Sequence, residues 1–264
     1  MNRLIGVVLF SQLAICSLAQ IVSQPVPTSD PQALSLAQKS MAALSSATAI
    51  TDVTISANVT SLLGSDNETG TGTLRAKGIA ESRIDLSLTN GSRSEVRDTA
   101  NGVPAGAWST NGNASTAMAQ HNAWVDAAWF FPPLSSLSQT ANPQFVFAYV
   151  GQEQHGGLSV QHIRTYQVPA AAVTNSPIPS LSAMDFYLDP NSYLPLAIGF
   201  NLHADKNIGI NIPIEIRFAN YQAVNGIQVP FHFQQLMNGS LILDATVTSA
   251  TFNTGLLDST FTLQ

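Results

Sequence analysis

Cysteine is all but absent: Cys16 is the only one in 264 residues. It falls inside an expected signal peptide, so residues 20–264 are expected to hold neither disulfide staples nor thiolate metal sites. Charge is scarce too. Charged residues make up 10% of the chain, against ~25% in ordinary domains. With Lys+Arg at 10, Asp+Glu at 16 and a net charge of -6, there is no basic patch to neutralise phosphates, and nucleic acid is not an expected partner. Long apolar runs are missing apart from Leu4 to Leu18, which is shorter than the ~20 residues of a membrane-spanning helix. Met-Asn-Arg before that run and Ser17-Leu18-Ala19 after it complete a charged n-region, h-region and small-x-small cleavage site. Residues 1–19 therefore read as a signal peptide, and the mature chain is expected to be exported, periplasmic and without a transmembrane segment. Secretion, or a lipid anchor on Cys16, are the alternatives; Ile15 is large where a lipobox wants a small residue.

Catalytic motifs are also lacking. There is no G-x-S-x-G elbow, H-E-x-x-H, C-x-x-C or P-loop, and Gly70-Thr71-Gly72 lies in a strand pattern that leads to no helix. His121, His155, His162, His203 and His232 never fall at i, i+2 or i, i+4. His203 and His232 read as outward-facing, and no metal site is expected. By alternation Asp185, Asp189, Glu215 and Asp244 are carboxylates of solvated strand faces. No enzymatic activity and no cofactor are expected. Asn58, Asn67, Asn90, Asn113 and Asn238 each open an N-x-S/T sequon, a number that the abundance of Ser and Thr largely explains.

What the chain does have is one-sided β patterning. After a flexible leader (20–29), Asp30-Pro31 offers an N-cap with proline at the first helical position, and Leu34, Ala37, Met41 and Leu44 predict an amphipathic helix over 32–46. Strands are predicted at 53–60, 71–77, 82–89, 93–98 and near Trp108. Turns such as Gly64-Ser65-Asp66-Asn67 and Asn90-Gly91 separate them. The segment 116–138 changes period: Met118, His121, Trp124, Val125, Ala128 and Trp129 predict a helical insert that Pro132-Pro133 ends. Strands resume at 145–151, 158–168, 181–188, 194–203, 211–221, 229–237 and 240–252, with a proline-containing loop at 169–180.

Leu196, Ile198, Phe200, Ile212, Ile214, Ile216, Phe218, Phe231 and Phe233 fall on one side of their strands. Leaving such a face bare costs ~1.5–3 kcal/mol per large side chain, more in sum than a typical domain's net stability. The helix at 32–46 and the insert are the only elements able to cover it. The expected fold is therefore mainly β with some α: a single strongly curved antiparallel sheet of about eleven strands, an incomplete β-barrel, in one domain (30–264). An N-terminal helix and a helical lid cover it. The residues expected to line a ligand cavity are Trp124, Val125, Trp129, Phe130, Phe131, Leu196, Ile198, Phe200, Ile214, Ile216 and Phe218.

The order of elements and two groups of local patterns resemble the outer-membrane lipoprotein carrier and sorting proteins, the LolA-like family. The first runs from Gly70 through Thr73-Leu74-Arg75-Ala76-Lys77 and Arg83-Ile84-Asp85-Leu86 to Trp108. The second comprises Asp185-Phe186-Tyr187-Leu188-Asp189-Pro190 with Leu194-Pro195, then Tyr221 to Pro230, Thr251-Phe252-Asn253 and Phe261. The resemblance implies an incomplete barrel with a lid and an apolar cavity that takes a lipid or acyl chain, in the setting of envelope lipid or lipoprotein trafficking. Where the carriers place an arginine and a proline after the strand lysine, this chain has Gly78-Ile79 after Lys77, so the lid-holding arginine is missing and the lipoprotein-transfer role is not carried over. The alternative function is a non-catalytic envelope scaffold with a self-packed core that binds a protein partner.

Overall fold

Asp30 caps the first helix as its place before Pro31 predicts. Its Oδ1 accepts from the backbone N–H groups of Gln32 (2.7 Å) and Ala33 (3.2 Å), and α1 runs Pro31–Ser45. Its buried residues are Ala33, Leu36, Ala37, Ser40, Leu44 and Ser45; Leu34 and Met41 are only partly buried. The small residues at 33, 37 and 40 let the helix lie close against the strands. This computed structural model describes residues 27–45, 48–64, 67–169, 173 and 175–262. The expected signal peptide with Cys16, the first part of the leader, and Ser65 and Asp66 of the first predicted turn lie outside the described residues.

Thirteen strands among the described residues form one antiparallel sheet. They are β1 (Asp52–Ser61), β2 (Glu68–Lys77), β3 (Glu81–Leu88), β4 (Gly91–Ala100), β5 (Val103–Thr110), β6 (Thr116–Ala117), β7 (Phe145–His155), β8 (Leu158–Gln167), β9 (Met184–Leu188), β10 (Pro195–Ala204), β11 (Asn207–Val224), β12 (Ile227–Met237) and β13 (Ser240–Phe252). The spatial order is β6-β5-β4-β3-β2-β1-β13-β12-β11-β10-β9-β8-β7. Two meanders thus meet where the first long strand pairs with the last, and the sheet is open only between β6 and β7. Tight Asn-Gly turns join neighbours; Asn225-Gly226 (φ 52° and 83°) and Asn238-Gly239 (φ 50° and 76°) both put two residues at positive φ, as type I′ hairpins demand. Register shifts at Ser56/Ala57, Tyr149/Gly151, Pro195/Ala197, His203/Ala204 and Gln235/Leu236 supply the local kinks that help a sheet curl.

Three expectations need correction. The sheet has thirteen strands, not about eleven; β6 is two residues long and has no alternation to announce it. The strand expected over 181–188 begins only at Met184, because Ile178–Leu181 forms a short helix, α2. Its Ser182 hydroxyl donates back to the Ile178 carbonyl at 2.7 Å.

The third correction is the insert, which has no α-helix. It holds 3-10 turns at Gln120–Ala123, Pro132–Leu134 and Ser136–Gln139 joined by irregular chain. An amphipathic helix buries one stripe, yet every residue from Val125 to Leu137 is buried. Side chains of Asn122, Asp126 and Ser135 also take backbone groups as partners, the competition that disfavours helix interiors. Phe131, before Pro132, is extended (φ -137°, ψ 90°), as a residue preceding proline tends to be.

The insert, α1 and the inner faces of the strands share one core. Trp129 packs edge to face on Phe130 (5.6 Å between ring centroids) and on Phe233 of β12 (6.2 Å), and Phe131 stacks on Phe252 of β13 (5.8 Å). No helix among the described residues is long and apolar enough to cross a membrane.

Candidate functional site

The insert connects the two edge strands, β6 and β7, and ties itself to three distant strands. Asn122 Nδ2 donates to the His203 carbonyl (2.9 Å) and Asn122 Oδ1 accepts from the His203 N–H (2.7 Å). β9 pairs with β10 only as far as Phe200, so Asn122 satisfies backbone groups of β10 beyond the reach of that neighbour. The Asn122 carbonyl accepts from Arg97 of β4 (3.3 Å). Farther along, Asp126 Oδ2 accepts from the N–H (2.8 Å) and hydroxyl (2.9 Å) of Ser136, whose hydroxyl lies 2.7 Å from Thr165 Oγ1 of β8. Burial of Asp126 pushes its carboxyl up to about 6, against the two Ser136 bonds and the Arg97 charge that pull it down.

So fixed, the insert parts two cavities. One, of about 290 Å³, lies at the end of the sheet where β1 stops and β4 begins; Ile84, Leu86, Trp108, Trp129, Phe200, Leu202, Met237, Ile242 and Leu243 give it apolar walls. Its lining draws on β3 to β5 and on β10, β12 and β13, which places opposite arms of the curled sheet across one space. The other, of about 460 Å³, is more polar. It lies between the β2–β3 and β4–β5 turns and the segments 142–145 and 167–169, with Trp124, Val125 and Asp126 on its insert side.

The apolar cavity carries a charged stripe. Glu95 stands opposite Ile84 and Arg93 opposite Leu86, so Arg93, Glu95 and Arg97 share the inner face of β4 and all reach the cavity. Arg93 donates to Ser61 Oγ (2.7 Å) and to the buried Glu68 carboxylate (2.8 Å), and Arg97 donates to Glu95 (2.9 Å). Charges taken out of water cost several kcal/mol each unless paired and hydrogen-bonded, a condition both guanidinium groups meet. Trp108 stands at the cavity's edge, 45% exposed.

Of the eleven residues expected to line a ligand space, only Trp129 and Phe200 reach the apolar cavity, and Trp124 and Val125 reach the polar one. Phe130, Phe131, Ile198, Ile214, Ile216 and Phe218 are buried in the core cluster and line neither. Leu196 is half-buried outside that core, because the register shift between Pro195 and Ala197 takes it out of the inward alternation. His203, expected to face outward, is only 4% exposed: the turn at Gln120–Ala123 packs over it. His232 does face outward, beside Asp244 at 3.1 Å. Asp185 is half-buried and held by His162 (2.7 Å) and Arg164 (2.8 Å); burial would raise its carboxyl, but these partners hold it below the ordinary carboxylate value.

Sequence reasoning missed Arg93, Glu95, Arg97, Asn122 and Asp126. The charges at 93, 95 and 97 alternate like a strand face; the signal that they point inward lies in the pairing register of β3 with β4, which the sequence does not print.

No family model matches the sequence, and no curated protein does. Solved structures do match in fold. A domain described as an outer membrane lipoprotein-sorting protein, from Vibrio parahaemolyticus, is 14% identical at a TM-score of 0.54, covering 87% of this chain and 96% of its own. A DUF1329 family protein from Desulfovibrio piger is 10% identical at a TM-score of 0.54, covering 90% and 100%. A LolA superfamily protein from Nitrosomonas europaea is 8% identical at a TM-score of 0.50, covering 87% and 97%.

Proposed function

We propose that this chain, which has the LolA-like fold, is an exported, non-catalytic envelope protein that binds one lipid or acyl chain in the apolar end cavity. One observation carries the reading: an apolar-walled hollow whose charged groups are those of the stripe Arg93, Glu95 and Arg97. Small-molecule sites are mostly apolar with a few placed polar groups and measure ~300–1,000 Å³. The cavity sits at the bottom of that range, which suits a single chain better than a multiply acylated anchor. The lipoprotein-sorting description of the Vibrio domain is in keeping with an acylated ligand. Protein purified from its own host and examined by native mass spectrometry with lipid extraction is expected to carry one amphiphile per chain and to take up a fluorescent fatty acid. Protein that is consistently empty and takes up no such probe overturns the reading.

A second reading is a scaffold that binds a protein partner through its loops. The burial of Phe130, Phe131, Ile198, Ile214, Ile216 and Phe218 in a continuous core favours it. Displacement of the fluorescent fatty acid by Trp108→Ala, with stability unchanged, separates the two, because a scaffold has no use for the cavity edge.

A further inference from the structure

Two histidines far apart in sequence meet where the insert crosses β10. The His121 and His203 rings are 6.0 Å apart at 77°. His203 is 4% exposed, and both its ring nitrogens, together with His121 Nε2, are buried without a hydrogen-bond partner in the protein. A core histidine ordinarily gives its N–H an acceptor; here three ring nitrogens that lack one fall at a single contact. We propose that His121 and His203 form a binding site for one borderline transition-metal ion of the Zn²⁺ or Cu²⁺ class, which imidazole nitrogen suits.

The spacing agrees. A metal ~2.0–2.1 Å from one nitrogen of each ring sits roughly 3 Å from each centroid, so two ligating imidazoles have centroids roughly 5–6.5 Å apart. The rings come from separate elements, yet Asn122, the neighbour of His121, is bonded to both backbone groups of His203, which holds the pair at that spacing before any ion arrives. Among the described residues no third His, Cys, Asp or Glu completes a cluster, so the protein supplies two ligands and an affinity no tighter than micromolar is expected. Leu202, next to His203, lines the end cavity; a bound ion would fasten the insert to the sheet beside it. The site does not depend on the cavity holding a lipid.

Purified protein stripped with a chelator and titrated with Zn²⁺ by calorimetry is expected to bind one equivalent. His121→Ala and His203→Ala should each weaken the Kd about tenfold or more, and the double variant should abolish binding, while His232→Ala leaves it unchanged. No binding by the parent protein, or full affinity in the double variant, overturns the proposal. X-ray absorption of the parent protein's Zn²⁺ adduct keeps the test valid where a variant fails to fold: two imidazole nitrogens are expected, and fewer than two overturn it.

Discussion

The side chain of Asn122 is bonded to both backbone groups of His203, 81 residues away, at 2.9 and 2.7 Å. One amide thereby stands in for a strand neighbour at the free side of β10, and it anchors the start of the insert.

Removing that amide leaves two buried backbone groups without partners, each at about 1–3 kcal/mol. Asn122→Ala is expected to lower unfolding stability by roughly 2–6 kcal/mol, read from denaturant midpoints at unchanged m-value. A loss below about 0.5 kcal/mol would show that the two bonds are not made.

Asp126 sets a pH dependence. Its carboxyl titrates at about 6 in the folded protein against the ordinary 3.8, so between these values the folded state binds more protons than the unfolded chain. The contribution of this group is therefore full below about pH 3.8, falls as pH rises and levels off above about pH 6. The expected fall is on the order of 2–3 kcal/mol. Asp126→Asn is expected to remove that slope, so its stability relative to the parent should improve from pH 4 to pH 7. Denaturation at four pH values checks this; parallel profiles for the two proteins would contradict it.

Two tryptophans of one cavity should separate packing from binding. Trp129 is 4% exposed and embedded between Phe130 and Phe233; Trp129→Ala is expected to cost about 3–5 kcal/mol. Trp108 is 45% exposed at the edge, and Trp108→Ala is expected to change stability by less than about 1 kcal/mol while weakening fatty-acid uptake several-fold. Calorimetric melting and a fluorescent fatty-acid titration measure the two effects.

Strand alternation made the sheet legible because the period is two and the inner face is apolar almost everywhere: Val53, Ile55 and Val59, or Ile214, Ile216 and Phe218, could point only one way. Asp30 before Pro31 announced α1 through backbone chemistry that depends on no distant residue. The insert reads as a helix because Val125, Ala128 and Trp129 recur at helical spacing while being enclosed on every side, and burial from all directions leaves no stripe to detect. The charged lining was missed because Arg93 and Arg97 find Glu68, Ser61 and Glu95 only once β4 is paired. Leu196 was misplaced by one bulge, and His203 by a turn that arrives from 81 residues upstream.

The pairing of β1 with β13 has a consequence for how the chain acquires its structure. Every other strand pair can zip between successive segments during synthesis, but this one joins Val53 to Phe252 and must wait for nearly the whole polypeptide. Until then two half-sheets exist, each with a greasy inner side and an unfilled hydrogen-bonding edge, the kind of species that self-associates. A chain truncated before Ser240 would stay in that condition, so aggregation rather than a smaller soluble fragment is the expected fate of C-terminal deletions.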